Sequence, residues 1–478
     1  MPETREARPS AHDSLQRVTE LLRKHEVVES LVQRGQGPRQ ELVETLVHRM
    51  HLVELQKLLT ELHPADIASV LETLPLEQRL VVWDLVRAER EGEILLEVSD
   101  AVRETLIAQM DETELVAATE QLDTDEIADL APDLPREVFQ GVIRSLSPEE
   151  REQLRAAMSY SEGTVGALMD FDVISIRDDV TVEVVLRYLR RLDEMPDHTD
   201  QLFVVDGTGQ LKGLLPISTL LVTRPKTLIT TVMRTEFLRL HPHEKSQDAA
   251  SSFERYDLVS TPVVDGEGKL IGRVTVDAVV DYIREETDNE MLSAGGLRED
   301  EDLFASVWKS VKNRWTWLAV NLVTAFIASR VIGLFEDSIE RLVALAALMP
   351  IVAGISGNSG NQTITMIVRA LALGQISAAN ARVLFAKEIG VSALNGLIWG
   401  GLVGLFAFLI YHSWQLGAVM TGAMVLSLML AAIMGVTIPL VMQKLGRDPA
   451  LGSSVMVTAI TDSGGFFIFL GLATVFLV

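Results

Sequence analysis

From Trp315 onward the chain is built of apolar stretches too long for one face of a soluble helix. Five stand out, at about Trp315–Phe335, Leu342–Leu371, Val383–Tyr411, Gly417–Met442 and Leu451–Val478. Each reaches the roughly 20 residues that span ~30 Å of hydrocarbon. The second and third are longer, which predicts tilt or extension past the bilayer. Residues 1–157 follow a different pattern. Leu, Val and Glu recur there at helical spacing, broken at His63-Pro64, Leu74-Pro75, Ala131-Pro132, Leu134-Pro135 and Ser147-Pro148. The phrases Leu62-His-Pro-Ala-Asp-Ile-Ala and Leu122-Asp-Thr-Asp-Glu-Ile-Ala echo one another. Short helices stacked as a small solenoid are expected.

Between these regions the chain repeats itself. Val204-Val-Asp-Gly-Thr-Gly-Gln-Leu-Lys-Gly213 matches Val263-Val-Asp-Gly-Glu-Gly-Lys-Leu-Ile-Gly272, and Val165-Gly-Ala-Leu-Met169 parallels Thr230-Thr-Val-Met233. Each Val-Val-Asp-Gly predicts a strand entering a tight turn, then a second strand and a helix. The repeat resembles a tandem cystathionine-β-synthase-type (CBS) pair. Such pairs often take an adenosine nucleotide, with a Thr or Ser and an Asp three residues later on the ribose. Here Thr275 is followed by Asp277, one position early, and the first copy has Pro216 at the equivalent place. ATP at Thr275 and Asp277 is therefore an expectation that departs from the usual spacing.

Charge divides the molecule. The chain holds 42 Lys and Arg against 67 Asp and Glu, a net −25. From residue 303 onward the basic residues outnumber the acidic ones, so the negative excess lies entirely in 1–302. A region this acidic repels nucleic acid and attracts cations, although solubility alone is also served. Cysteine is absent, which excludes disulfides and thiolate metal sites. No secretory signal is visible at the polar N-terminus. Lys309, Lys312 and Arg314 precede the first span, Arg369, Arg382 and Lys387 lie between the second and third, and Lys444 and Arg447 between the fourth and fifth. The opposite loops carry Glu336, Asp337, Glu340 and Arg341, then no Lys or Arg from Tyr411 to Leu416. The positive-inside rule places the N-terminal half in the cytosol and the C-terminus outside a cell (inner or plasma) membrane crossed several times.

Two features of the spans carry chemistry. Asp462, in Thr458-Ala-Ile-Thr461-Asp-Ser-Gly-Gly-Phe-Phe467, lies well inside an apolar stretch. A charge at that depth needs water, a partner or an ion. It is either paired with Arg330 or a cation site. The second feature is Pro350-Ile-Val-Ala-Gly354-Ile-Ser-Gly357-Asn358-Ser-Gly360-Asn361-Gln362-Thr363. Non-helical backbone at membrane depth is tolerated where it lines a cavity, and its carbonyl and amide oxygens suit a hard cation. A kinked helix with a small-residue packing face is the other reading. Mg²⁺ dehydrates reluctantly and is held by one or two carboxylates plus waters, which fits one Asp462 per chain, doubled on the axis of a symmetric homodimer. A further run of carboxylates, from Asp277 through Asp281, Glu285, Glu286, Asp288 and Glu290 to Glu299, Asp300, Glu301 and Asp302, leads into the first span. Helical spacing puts Asp277, Asp281, Glu285 and Asp288 near one face. That face is either solvated or neutralised by bound cations.

On Tyr160-Ser-Glu-Gly-Thr-Val-Gly-Ala-Leu-Met169, Pro350 through Gln362, and Thr461-Asp-Ser-Gly-Gly-Phe-Phe467, the whole chain resembles the MgtE-type magnesium channel family. The resemblance implies a multidomain membrane protein: an all-α N-domain (1–157), an α/β CBS pair (158–222 and 223–285), a connecting or plug helix (286–313) and a five-helix transmembrane domain (314–478). It implies a homodimer with hydrated Mg²⁺ held at Asp462 and a pore lined by Pro350, Gly354, Gly357, Asn358, Gly360, Asn361, Gln362, Thr458 and Thr461. It further implies cytosolic Mg²⁺ bridging the N-domain, CBS pair and plug helix in a closed state. Asp125, Asp129, Glu93, Asp277, Asp281, Glu285, Glu286 and Asp288 are its expected sensor residues. Mg²⁺ would be both substrate and regulator, and the lipid membrane and a second copy of the chain the partners. A coupled secondary carrier for divalent cations is the alternative. An intramembrane aspartyl hydrolase would need a second carboxylate beside Asp462, and a nucleotide-sensing receptor would leave the 354–363 run without a use. No Gly-rich phosphate loop is present, so an enzyme is not expected.

Overall fold

The computed structural model describes residues 11–32, 52–192, 194–294, 297, 302–372, 375–376, 380–447 and 452–478. Glu299, Asp300 and Glu301 of the acidic run lie outside the described residues. The chain forms two compact units, one up to Glu286 together with Asp302–Ala305, the other comprising Thr287–Glu301 and Ser306–Val478.

The first unit begins with ten helices: α1 (Ala11–Val32), α2 (52–61), α3 (Pro64–Thr73), α4 (Leu76–Trp83), α5 (Ala88–Glu97), α6 (Asp100–Ile107), α7 (Glu112–Thr119), α8 (Thr124–Leu130), α9 (Arg136–Ser145) and α10 (Pro148–Ala157). Four of the five prolines read as breaks sit at helix starts, where their missing N–H costs nothing, and Pro132 lies in the turn after α8. Pro64 and Pro148 open α3 and α10, and Pro75 and Pro135 immediately precede α4 and α9. Reciprocal capping boxes start α7 (Asp111 with Glu114), α8 (Asp123 with Glu126) and α10 (Ser147 with Glu150). Alternate helices pack on one another, α1 on α3, α3 on α5, α5 on α7, α7 on α9 and α8 on α10. One core runs through the stack, from Val18 and Leu59 to Leu130 and Leu154. This is the expected solenoid.

The duplicated region folds as two similar halves. The first holds β1 (Ser175–Arg177), α11 (Val182–Leu189), β2 (Gln201–Val205), β3 (Leu211–Pro216) and α12 (Ile217–Val222). The second holds α13 (Ser246–Tyr256), β4 (Ser260–Val264), β5 (Leu270–Thr275) and the long α14 (Val276–Ala294). The hairpins repeat in register, with Val204 opposite Gly213 and Val263 opposite Gly272. In both turns an Asp side chain gathers the loop amides. Asp206 Oδ1 accepts from Thr208 N at 2.8 Å, and Asp265 Oδ1 from Glu267 N at 2.8 Å. Gly209 and Gly268 supply the positive φ that closes each turn. The halves exchange their covers. Met169 of the first half lies over Gly272 of the second, and Met233 of the second lies over Gly213 of the first, each too close to admit a Cβ on the glycine.

The connecting helix differs from its expected 286–313 span. It begins as α14 directly after β5 and is described to Ala294, and a second helix, α15 (Val307–Gly333), forms the first apolar segment. The second unit continues with the short α16 (Glu336–Arg341), α17 (Ala344–Ala372), α18 (Ala381–Tyr411), α19 (Trp414–Lys444) and α20 (Ser453–Phe476). Among the described residues four helices (α15, α18, α19 and α20) are long and apolar enough to cross a membrane. In α17 the polar run at Ser356–Thr363 dilutes the apolar sequence. α18 and α19 approach closely along Gly396, Gly400 and Gly404, and Thr421 Oγ1 donates to the Gly400 carbonyl at 3.1 Å. Small residues are what allow such contact where burial of oil in oil supplies no drive.

Candidate ion sites

The run from Pro350 to Thr363 is helical throughout, inside α17. This corrects the expectation of irregular backbone. The helix persists because its small residues are packing positions. A Cβ on Gly360 would stand 2.6 Å from Val457 Cγ1, and one on Gly435 would meet Thr363 and the Gly360 carbonyl. The backbone carbonyls of this run belong to a helix ladder.

The expected lining residues divide by face. Gly354, Asn358 and Gln362, spaced four apart, form an open stripe on α17. Gly357 and Gly360 are buried against α20. Thr461 is 0 % exposed and donates to its own helix at the Thr458 carbonyl. In this chain these three are packed between helices. Pro350 is exposed and Thr458 half-buried, and Asn361 is fixed from α20, its Oδ1 accepting from Ser454 Oγ at 3.0 Å. Gly357 packs on Thr461, and the next residue on each helix, Asn358 and Asp462, is open or half-open at the surface. Arg330 is exposed, and among the described residues no ion pair joins it to Asp462. The counter-ion reading of Asp462 therefore has no support.

In the membrane-spanning unit one residue was missed. Glu388 of α18 is 5 % exposed, with Lys387 Nζ 3.7 Å from its Oε1. In the sequence it reads as half of a charged pair at the edge of a span. Its depth is set by its place one turn after Leu384, a residue packed around Ile367, Leu371 and Val436.

In the first unit the carboxylates of α8 face those that follow the Met169 cover. Burial, with Asp170 and then Glu126 and Asp123 beside it, pushes Asp125 up to about 8. Burial likewise raises Asp123, reinforced by Asp172, Asp170 and Asp197, and raises Glu126. Burial raises Asp170 too, opposed by Arg273, whose Nε lies 2.7 Å from its Oδ2. A second group surrounds Arg103, whose Nη1 reaches Asp100 at 3.1 Å and Asp133 at 3.3 Å. There Asp129 is raised by burial against the pull of Arg103, and Glu285 of α14 by burial and Asp100. A third joins Glu97 of α5 to Asp281 of α14, each raised by burial and then by a neighbouring carboxylate. Of the expected sensor residues, Asp125, Asp129, Asp281 and Glu285 thus lie among opposing carboxylates. Glu93 adds to the charge around Glu126, and Glu286 to that around Glu285. Asp288 lies further along α14, exposed. Asp123, Glu126, Asp170, Asp172 and Glu97 were missed. Asp170 and Asp172 follow directly on the Tyr160–Met169 motif, which was the available signal. Among the described residues no three carboxylates or imidazoles converge closely enough to hold one bare ion. Pairs facing across a gap suit a cation that keeps its water.

Thr275 and Asp277, the expected nucleotide contacts, separate. Thr275 is buried at the end of β5, its backbone paired with Ser260. Asp277 is exposed on α14, its Oδ1 3.9 Å from His198 Nε2.

Comparison with known proteins finds relatives over most of the chain. A divalent cation transporter (MgtE) family profile matches residues 349–472, an MgtE intracellular N-domain profile matches 62–163, and CBS-domain profiles match 165–224 and 229–285. The magnesium transporter MgtE of Thermus thermophilus is 31% identical over 431 residues, covering 88% of this chain and 95% of its own. That of Bacillus subtilis is 24% identical over 424 residues, covering 89% and 94%. A crystal structure of the cytosolic domain of the Mg²⁺ channel MgtE in complex with ATP is 31% identical with a TM-score of 0.44, covering 48% of this chain and 93% of its own.

Proposed function

This chain belongs to the MgtE family of divalent cation transporters, and from that premise we propose that it is a Mg²⁺ channel closed from the cytosol by the ion it carries. Asp462 carries the reading. It is a carboxylate within an apolar helix, half-buried, with no ion pair to Arg330 among the described residues. Such a group is costly unless it faces water or an ion. The stripe Gly354, Asn358 and Gln362 supports the same conclusion, since amides open at membrane depth are ill suited to lipid and well suited to a wet axis shared with a second copy. Two copies of Asp462 and surrounding amides hold a hydrated Mg²⁺ without stripping its shell. The N-terminal half lies in the cytosol and the C-terminus outside. Influx then runs down the membrane potential, worth about 4.6 kcal/mol per divalent ion at 100 mV.

The carboxylates around Asp125, Asp129 and Glu97 supply the control. Docked, they repel one another across half-buried gaps. Hydrated Mg²⁺ offsets the repulsion and holds the N-domain against the CBS pair and α14. When internal Mg²⁺ falls, the faces part and the pore opens. An adenosine nucleotide at the CBS pair is a second ligand within this reading, held by groups other than a joint Thr275–Asp277 contact.

Mg²⁺ flux into proteoliposomes, with internal Mg²⁺ varied, tests both parts. Wild-type flux falls as internal Mg²⁺ rises, and Asp462→Ala conducts little at any internal concentration. Undiminished flux in the variant removes Asp462 from the path. A flux that requires a H⁺ or Na⁺ gradient makes the protein a coupled carrier.

A further inference from the structure

The acidic run that ends at residue 302 has one member unlike those described on α14. Asp281, Glu285, Glu286 and Asp288 are exposed. Asp302 is 9 % exposed and is gripped by Arg79 of α4, which is 0 % exposed. Arg79 Nη1 donates to Asp302 Oδ2 at 2.8 Å and Nη2 to Oδ1 at 3.2 Å, a bidentate fork. Arg79 Nε donates to the Leu71 carbonyl at 2.9 Å, which fixes the guanidinium from behind. Asp302 Oδ1 also accepts from Phe304 N at 2.8 Å, which fixes the carboxylate. Four residues later Ser306 caps α15, the first apolar helix, its Oγ accepting from Lys309 N.

We infer that the Arg79–Asp302 pair is a latch, independent of metal, that ties the N-domain directly to the chain leading into the first membrane helix. It rests on the gating reading above and adds a second route to it. The long route from N-domain to membrane passes through the CBS pair and α14. The latch bypasses both. Four residues of chain span at most about 14 Å, so when the N-domain moves away by more than the slack in this segment, the pair parts or α15 is pulled. A buried ion pair is held by its geometry and is little affected by salt. Loss of Mg²⁺ at the acidic faces must therefore break the latch as well before the pore is released, and this sets a lower Mg²⁺ concentration for opening than repulsion alone.

The test uses the full-length chain in proteoliposomes and in detergent. Asp302→Asn keeps the shape and removes the charge. Arg79→Met/Asp302→Asn removes both charges, so that a buried unpaired guanidinium cannot unfold the domain. Each is expected to raise the internal Mg²⁺ that halves the flux by about tenfold or more. Hydrogen exchange in the wild type is expected to be slow at 302–305 in saturating Mg²⁺ and to quicken when Mg²⁺ is chelated. Wild type and variants closing at the same Mg²⁺ overturn the latch alone, as does exchange at 302–305 that ignores chelation. A wild type blind to internal Mg²⁺ overturns the gating reading and the latch with it.

Discussion

Arg273 Nε donates to Asp170 Oδ2 at 2.7 Å, while its Nη2 donates to the Asp197 carbonyl at 2.8 Å. The guanidinium is 4 % exposed and the carboxylate 16 %. One cation is thus built permanently into a face that otherwise gathers Asp123, Asp125, Asp170 and Asp172. It opposes the burial that raises Asp170, and among the described residues no cation pairs with Asp125.

Asp125→Asn separates two ways in which an ion could act there. If a hydrated Mg²⁺ is held between Asp125 and Asp170, the variant loses one charge–ion interaction, and closure needs about tenfold more internal Mg²⁺, equivalent to about 1.4 kcal/mol. That is the expected result. If ions only screen the two faces, the variant closes at lower Mg²⁺ than wild type. Flux against internal Mg²⁺ decides between them.

Proton and Mg²⁺ compete for the same work. Burial first, and then Asp170, raise Asp125 from its ordinary 3.8 to about 8 in this docked arrangement. A group raised in the docked state takes up a proton on docking, so its contribution is fully present below the undocked value and is lost as pH rises through the docked one. Between about pH 4 and pH 8 docking therefore weakens as pH rises, and above about 8 it depends wholly on cations. Lowering the internal pH from 8.5 to 6 is expected to shift closure to lower Mg²⁺. Flux curves that coincide at the two pH values would contradict this.

Gly272→Ala tests the crossed cover. The added Cβ would stand 2.5 Å from Met169 Cγ and 2.8 Å from the Asp170 carbonyl oxygen, and the latter is backbone that cannot swing aside. Overpacking of this kind costs about 1–3 kcal/mol. The expected outcome is a lower Tm in detergent, together with altered Mg²⁺ sensitivity, because Asp170 must move.

Within the membrane unit the open and packed faces of α17 and α20 should respond differently. Asn358→Leu, on the open stripe, is expected to abolish flux. Thr461→Val keeps the buried shape and removes a hydroxyl bonded only within its own helix, so its flux stays within about twofold and its cost near 1 kcal/mol. Equal losses in both variants would place the ion path between the helices and not along the stripe.

Much of this was legible in the residues. Duplication aligned Val204-Val-Asp-Gly with Val263-Val-Asp-Gly, and both hairpins follow that alignment to the residue. Proline breaks and helical spacing marked the short helices. The run at 354–363 was misread because glycine and asparagine disfavour helix locally, whereas contacts from Val457 and Gly435 reward it. Arg79 and Asp302 lie 223 residues apart, and no local pattern announces such a pair. Glu388 was hidden by its neighbour Lys387, which reads as its surface partner, while the helix turns the two to different depths.

The exchanged methionines bear on descent. Since Met169 seals the hairpin of the later half and Met233 that of the earlier one, neither half closes its own core. A chain cut between Val222 and Thr223 would leave two pieces with bare glycine strands, able to fold only on each other. An ancestor with a single copy of the unit would have faced the same lack. It would have had to trade covers with an identical neighbour, the exchange that the two halves make here within one polypeptide.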